Sequence, residues 1–246
     1  MSRLEENLRA VRARIDAAAR AAGRDPSSVS LLAVSKTWSA GDVRALAALG
    51  QIDFGENRAQ ELLDKARQPE LADVVVRWHF IGQLQRNKAA AVARLGAVVH
   101  TVDRASLARV LDRAGQDGEH PLDAFVQVDL GGAAGELAAR GGAAPEEVPA
   151  LADLIAGSAG LRLRGVMAVA PRGEDPGAAF ERLSTVAAAV RADHPDAVEV
   201  SAGMSGDLEA AVAAGATVVR VGTALFGNRP LPSGNIGEHQ PRESRE

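Results

Sequence analysis

The chain has 246 residues and a mass of 25.4 kDa, with 46% hydrophobic and 24% charged residues. That is enough apolar material for a sizeable core, and it excludes disorder over most of the length. A net charge of −4 and a pI near 5.8 exclude a dedicated nucleic-acid binder, which needs a basic surface. Cysteine is absent, which excludes disulfides, thiolate catalysis and Cys-ligated zinc.

Arg3, Glu5, Glu6, Arg9 and Arg12 break any apolar run of the secretory type, and the acids argue against a transit peptide. No stretch approaches the ~18 uncharged apolar residues of a membrane span. The expectation is a cytoplasmic protein with no membrane partner. Leu4, Leu8, Val11, Ile15 and Ala18 recur at helical spacing, with Ser2 and Glu5 as a cap and Gly23 as a stop. Short β-rich runs then alternate with Ala-rich helical patterns. The strands are expected at Leu31–Ser35, Ile52–Phe54, Trp78–Gly82, Val98–Val102, Ala124–Val128, Gly165–Val169, Val198–Ser201 and Thr217–Val221. Helices are expected near Ala40–Leu49, Glu56–Arg67, Asn87–Leu95, Ala105–Gly115, Pro145–Ala156, Ala178–Ala192 and Gly206–Ala214.

A βαβα alternation implies a parallel sheet with helices outside it. Eight strands at this spacing predict a single-domain α/β protein, a (β/α)8 TIM barrel over residues 1–227 with an extra N-terminal helix. A doubly wound open sheet is the alternative. Residues 131–144 read as a mobile loop after the fifth strand, and residues 228–246 as a disordered tail.

Chemistry in such barrels sits at the C-terminal strand ends. Of the three lysines, Lys65 and Lys88 fall in helical patterns and read as solvated. Lys36 follows the first strand, on the same face as Leu32 and Val34. A partly desolvated amine there could attack an aldehyde, or it could pair with an acid at the rim. Ser201-Ala-Gly-Met-Ser205-Gly-Asp207 follows the seventh strand, and Arg220-Val-Gly222-Thr223 closes the eighth. Glycines there allow a backbone to approach phosphate, and Ser205 and Thr223 add hydroxyls; the alternative is a Ser205 helix cap with ordinary turns. Arg220, within an apolar strand, must be paired with an acid or must face the site. Asn57 reads either as a donor to a ligand or as a helix cap, and His79 as a core histidine. No His/carboxylate spacing suggests a metal, and no nucleophile elbow or Walker motif is present.

Several separated motifs nevertheless occur together at the right strand ends: Leu32-Ala-Val-Ser-Lys36, Phe54-Gly-Glu-Asn57, Trp78-His-Phe-Ile-Gly82 with Gln85-Arg-Asn-Lys88, Arg164-Gly-Val-Met167, Ser201-Ala-Gly-Met-Ser205 and Arg220-Val-Gly-Thr-Ala-Leu-Phe-Gly227. From about Leu4 to Gly227 the chain resembles the pyridoxal phosphate homeostasis proteins, also called YggS-like or PROSC-like, a family similar in fold to the N-terminal barrel of alanine racemases. The resemblance implies that the chain binds pyridoxal 5′-phosphate (PLP) and takes part in intracellular PLP homeostasis. It implies Lys36 as the Schiff-base lysine and Ser201, Ser205, Gly222 and Thr223 as the phosphate cradle. It also implies Arg220 opposite the pyridine nitrogen and Asn57 beside the ring.

On this reading the protein is a carrier without a catalytic residue, PLP-dependent apo-enzymes are its recipients, and a monomer is the default. The rivals are a small PLP-dependent racemase and a cofactor-free Schiff-base aldolase on a phosphosugar. A two-base racemase needs a proton-transfer group on each face of the substrate carbon, and the tyrosine that serves one face in alanine racemases has no counterpart in a chain without tyrosine.

Overall fold

The structure, a computed structural model, describes residues 2–131 and 141–227. The tail expected to be disordered and most of the loop expected to be mobile lie outside these residues.

Eight parallel strands pair in chain order and the last closes on the first, so the sheet is a barrel and not an open doubly wound sheet. They are β1 (Ser30–Val34), β2 (Asp53–Glu56), β3 (Arg77–Phe80), β4 (Val98–Val102), β5 (Leu122–Gln127), β6 (Leu161–Met167), β7 (Glu199–Ser201) and β8 (Val218–Val221). Helices α1 (Arg3–Ala21), α2 (Ala40–Ala47), α3 (Ala59–Ala66), α4 (Arg86–Arg94), α5 (Ala105–Gly115), α6 (Val148–Ala156), α7 (Pro176–Asp193), α8 (Leu208–Ala213) and α9 (Thr223–Phe226) are described. Most strands and helices lie within two or three residues of their expected places, and β6 departs furthest. It begins at Leu161 rather than Gly165 because Arg162 and Arg164 extend it, pairing with Asp123 and Glu199 of the neighbouring strands. Glu56, expected at a helix start, instead ends β2. No helix among the described residues is long and apolar enough to cross a membrane.

Alternation divides the strand residues between two environments. Phe54, Trp78, Phe80, Val99, Val126, Val166, Val200 and Val219 face the helices and form one continuous core with them. Helix α1 joins this core through Leu8, Val11 and Ile15. It also seals the seam where the barrel closes: Asn7 Nδ2 donates to Leu225 O (2.7 Å) and Arg14 Nη1 to Ser205 O (2.8 Å).

The opposite faces fill the barrel itself, with apolar and polar side chains side by side. A small apolar cluster of Val98, Phe125 and Met167 sits beside His79, His100, Ser201 and Arg220, all buried. His79 Nδ1 lies 2.8 Å from His100 Nε2, and His79 Nε2 lies 2.9 Å from Asp53 Oδ1. His100 Nδ1 lies 2.9 Å from Ser201 Oγ. The His100 ring stacks on Phe125, with centroids 4.3 Å apart and planes at 17°.

Burial holds the His100 pKa well below its ordinary 6.5, reinforced by His79 and Arg220 nearby. In the unfolded chain this imidazole takes up a proton near pH 6.5, whereas in the barrel it does so only far lower. Between those values the unfolded state binds more protons, so acid favours unfolding. The stability from this residue should be complete above pH 6.5 and fall below it, by up to about 1.4 kcal/mol per pH unit. Denaturant midpoints between roughly pH 7.5 and 5.5 check this. His100→Gln should show a shallower loss than the parent, and equal slopes would contradict the assignment.

Candidate functional site

Lys36 stands two residues beyond the end of β1, where the strand direction carries it to the C-terminal mouth. It is half-buried, and among the described residues its Nζ makes no hydrogen bond or ion pair. The rim-pairing alternative therefore has no partner in the structure. The backbone around it is held firmly. Thr37 is the one described non-glycine residue with positive φ (70°), and its N–H donates to the Glu61 carboxylate. Such a conformation persists only where neighbours enforce it.

The enforcing group is a buried charge cluster between β1, β2 and α3. Lys65 Nζ donates to Ser35 O (2.8 Å), to Glu56 Oε1 (2.5 Å) and to Glu61 Oε1 (3.2 Å). Ser35 Oγ donates to the same Glu56 oxygen (2.7 Å). Burial pushes the Glu56 carboxyl pKa up, and the bonds from Lys65 and Ser35 offset this only in part. Lys65 is thus a buried tether, not the solvated lysine its helical pattern suggests. The missed signal was Glu56: at the end of β2 its alternation turns it outward under α3, where a buried acid requires a cation. Lys88 is half-buried.

Arg220 approaches from β8. Its Nη1 donates to Ser201 O (2.7 Å) and Ser201 Oγ (2.9 Å), and its Nη2 to Ala168 O (2.8 Å). Every acceptor is neutral, so the ion pair weighed from the sequence is absent among the described residues. Burial lowers its pKa to about 10, which leaves it charged at neutral pH. The Nε–H and the second Nη2–H have no acceptor among the described residues.

A cavity of about 560 Å3 at this mouth is lined by Lys36, Arg220, Ser205, Gly222 and Thr223, together with Trp38, Ile81 and Met204. Five of the seven residues singled out from the sequence therefore share one space. Ser201 does not line it; its side chain is fully buried between Arg220 and His100. Asn57 does not line it either, and it is not a helix cap, since α3 is preceded by Arg58 without a side-chain cap. Asn57 lies against Gly82, where a Cβ would come within 2.0 Å of Asn57 O, so only glycine fits. Ser205 is not a helix cap: Asp207 precedes α8, and its carboxylate accepts from Met204 N (2.5 Å). Gly203 (φ 88°) makes the turn into this loop, and a Cβ there would meet Ala211 Cβ at 2.6 Å. Trp38 and Ile81 were open to recognition, because alternation places them with Lys36 and His79. Trp38 also stacks on Phe226, with centroids 5.3 Å apart.

A second cavity, of about 360 Å3, opens at the other end of the barrel, lined by Asp53, Arg77, His79, Arg164 and Glu199. Its charges are already paired, Asp53 with Arg77 and Arg164 with Glu199. The mouth with the unpaired lysine and the partly unmet arginine is the candidate site.

The family model for the N-terminal domain of alanine racemase matches residues 6–230. A pyridoxal phosphate homeostasis protein of Pseudomonas aeruginosa is 47% identical over 232 residues, 93% of this chain and 97% of that protein. The Escherichia coli protein of the same name is 38% identical over 233 residues, 93% and 98% of the two chains. The structure of PipY from Synechococcus elongatus with PLP bound superposes with a TM-score of 0.76 at 35% identity, covering 92% of this chain and 100% of that one. Alanine racemase of Bartonella henselae, at 18% identity and a TM-score of 0.63, shares the fold.

Removing one member of a buried ion pair strands its partner's charge, at a cost of about 3–5 kcal/mol. Lys65→Met should lower the unfolding free energy by that order. Adding Glu56→Gln should return part of the loss, because the stranded carboxylate is then gone. Urea denaturation of both variants measures it, and a double variant less stable than the single one would contradict the pairing.

Proposed function

The chain belongs to the pyridoxal phosphate homeostasis protein family, and on that premise we propose that it holds PLP in the cavity at the C-terminal mouth and helps to control the pool of this cofactor. The observation that carries the reading is one cavity containing an amine, Lys36, with no partner among the described residues and a guanidinium, Arg220, with two N–H groups unmet among them. When bound, PLP supplies an aldehyde that condenses reversibly with a primary amine. Lys36 is the amine of the cavity, and the clamp on Ser35 and Thr37 fixes where its side chain starts. Ser205 and Thr223 offer hydroxyl donors, and Gly206 and Gly222 offer backbone without side chains, for the phosphate. The remaining donors of Arg220 would meet the ring nitrogen and Ser201 would hold Arg220, while Asn57, outside the cavity lining, would act only through its close packing on Gly82.

A carrier fits this lining better than a racemase. Among the described residues that line the cavity, Lys36 and Arg220 are the side chains with titratable groups, and the sequence has no tyrosine to act on a second face. An amine entering the cavity competes with Lys36 for the aldehyde, which gives reversible exchange without a second acid or base. In this reading the recipients are PLP-dependent apo-enzymes, and the protein works as a monomer in the cytoplasm.

Borohydride reduction of the PLP-loaded protein followed by peptide mass spectrometry should place one pyridoxyl group on Lys36. Lys36→Ala should abolish the adduct without changing the circular dichroism. An adduct carried mainly by Lys65 or Lys88 would overturn the reading.

Ser205→Ala combined with Thr223→Val should weaken PLP by roughly two to four orders of magnitude, as bonds to a charged group are worth about 1.5–3 kcal/mol each. Pyridoxal, which lacks the phosphate, should be affected far less. Equal losses for the two ligands would show that these hydroxyls do not hold the phosphate.

A further inference from the structure

Arg220 is buried and charged, yet among the described residues no carboxylate pairs with it directly. Nearest in the charge pattern is Asp207, whose carboxylate is engaged by Met204 N. A second anion is connected to Arg220 through bonds. Arg220 Nη1 meets Ser201 Oγ (2.9 Å), Ser201 Oγ meets His100 Nδ1 (2.9 Å), His100 Nε2 meets His79 Nδ1 (2.8 Å), and His79 Nε2 meets Asp53 Oδ1 (2.9 Å). Five side chains from β8, β7, β4, β3 and β2 thus form one line through the barrel, from the candidate site to the opposite cavity.

The protons in this line have one consistent order. Burial works to raise the Asp53 pKa, but the bonds from His79 and Arg77 outweigh it and hold the carboxyl at about 2, so Asp53 is an acceptor. His79 Nε2 therefore carries the hydrogen, which leaves Nδ1 as the ring atom able to accept. His100 Nε2 must then donate to it. His100 is kept neutral by burial, so its Nδ1 is bare and accepts the Ser201 hydroxyl hydrogen. Ser201 Oγ keeps a lone pair turned toward Arg220. The reverse order fails at Ser201: His100 and Arg220 would both donate to Oγ, and the hydroxyl hydrogen would need a third direction in a fully buried position. The bond dipoles thus align between a cation at one end and an anion at the other, where each strengthens the next.

We propose that this relay, with its polarity set by Asp53, fixes the position and donor directions of Arg220, so that His100 and His79 are positioning residues for recognition of the PLP ring nitrogen from the far side of the barrel. The inference rests on the placement of PLP proposed above. It adds that ring-nitrogen selectivity depends on residues that do not touch the ligand. Lys36 lies outside the relay, so attachment of the aldehyde should not depend on it.

The test compares PLP with its 1-deaza analogue, in which C–H replaces the ring nitrogen, using quenching of Trp38 fluorescence and absorbance to measure dissociation constants. The parent protein should prefer PLP by roughly 10- to 100-fold, the range of a hydrogen bond from a charged donor. His100→Gln, whose amide can accept from Ser201 and donate to His79, should retain the preference. His100→Leu should lose most of it while its affinity for the deaza analogue changes little. Ser201→Ala breaks the same line at its narrowest link and should behave as His100→Leu does, which covers the case of a leucine variant that does not fold. In ligand-free protein, 15N spectra should show a hydrogen on Nε2 of both imidazoles and a bare Nδ1 on His100. A preference undiminished in both His100→Leu and Ser201→Ala, or His100 protonated at Nδ1, would overturn the relay. A parent protein that binds PLP and the analogue equally would also overturn it, while leaving the proposed function standing. A parent that binds neither would defeat the proposed function, and the imidazole spectra would then decide the relay alone.

Discussion

The pairing of the first strand with the last is the contact on which the site depends. In β1·β8 Leu32 stands beside Arg220 and Ala33 beside Val221. Lys36 and Gly222-Thr223 lie a few residues further along these two strands, so closure brings together groups almost the whole chain apart. The approach is close enough that a Cβ on Gly222 would meet Val34 O at 3.2 Å. Helix α1 secures this seam from outside, and one of its bonds ends on the carbonyl of Ser205, a residue of the cavity. Closing a loop this long carries an entropic cost that local helix–strand contacts do not share. The seam is thus where the extra N-terminal helix contributes most.

Two buried cations near the seam are handled in opposite ways. Lys65 has a carboxylate at 2.5 Å and a second at 3.2 Å, and its donors are used within the protein. It is a structural tie, and the backbone it ties is that of Ser35, next to Lys36. Arg220 is bound only to neutral oxygens on two of its nitrogens. A guanidinium is planar and its five N–H groups point in fixed directions. Anchoring three of them therefore aims the other two. The ammonium of Lys65 has no such fixed fork, so the two residues could not exchange roles.

Period-two alternation and strand-end position made much of this legible in the sequence. The barrel, its extra helix, and the gathering of Lys36, Ser205, Arg220, Gly222 and Thr223 at one mouth follow from counting strands and reading what comes after each. Ser201 stays out of the cavity because, as the last residue of β7, it points into the barrel, where Arg220 and His100 enclose it. Lys65 was misread because helical spacing reports a face but not what lies above it. The histidine line was invisible for a different reason. His79, His100, Ser201 and Arg220 come from four strands, and their register is set by the barrel stagger. No local pattern carries that register. His100 drew no notice because a single histidine among Val98, Val99, Thr101 and Val102 looks like an isolated polar residue.

The interior of this barrel departs from the layers of branched aliphatic side chains that usually fill the fold. Beside its apolar residues, among them Leu32, Val34, Val98, Phe125, Met167 and Val218, the described interior holds two histidines, a serine and an arginine, all buried. Buried polar groups are tolerated only when bonded, since each unmet one costs about 1–3 kcal/mol. Among the described residues only Glu56 Oε2 and Thr101 Oγ1 are fully buried side-chain atoms without a partner, so the polar interior is nearly closed on itself. Its open valences among the described residues are the two N–H groups of Arg220, and the cavity they border also holds the Lys36 amine. On the proposed placement of PLP, donors held by the barrel would meet the ring, and Lys36 would supply the amine that an incoming amine displaces. The described residues that line this cavity supply hydrogen-bond donors and one primary amine, the two kinds of group that the proposed capture uses.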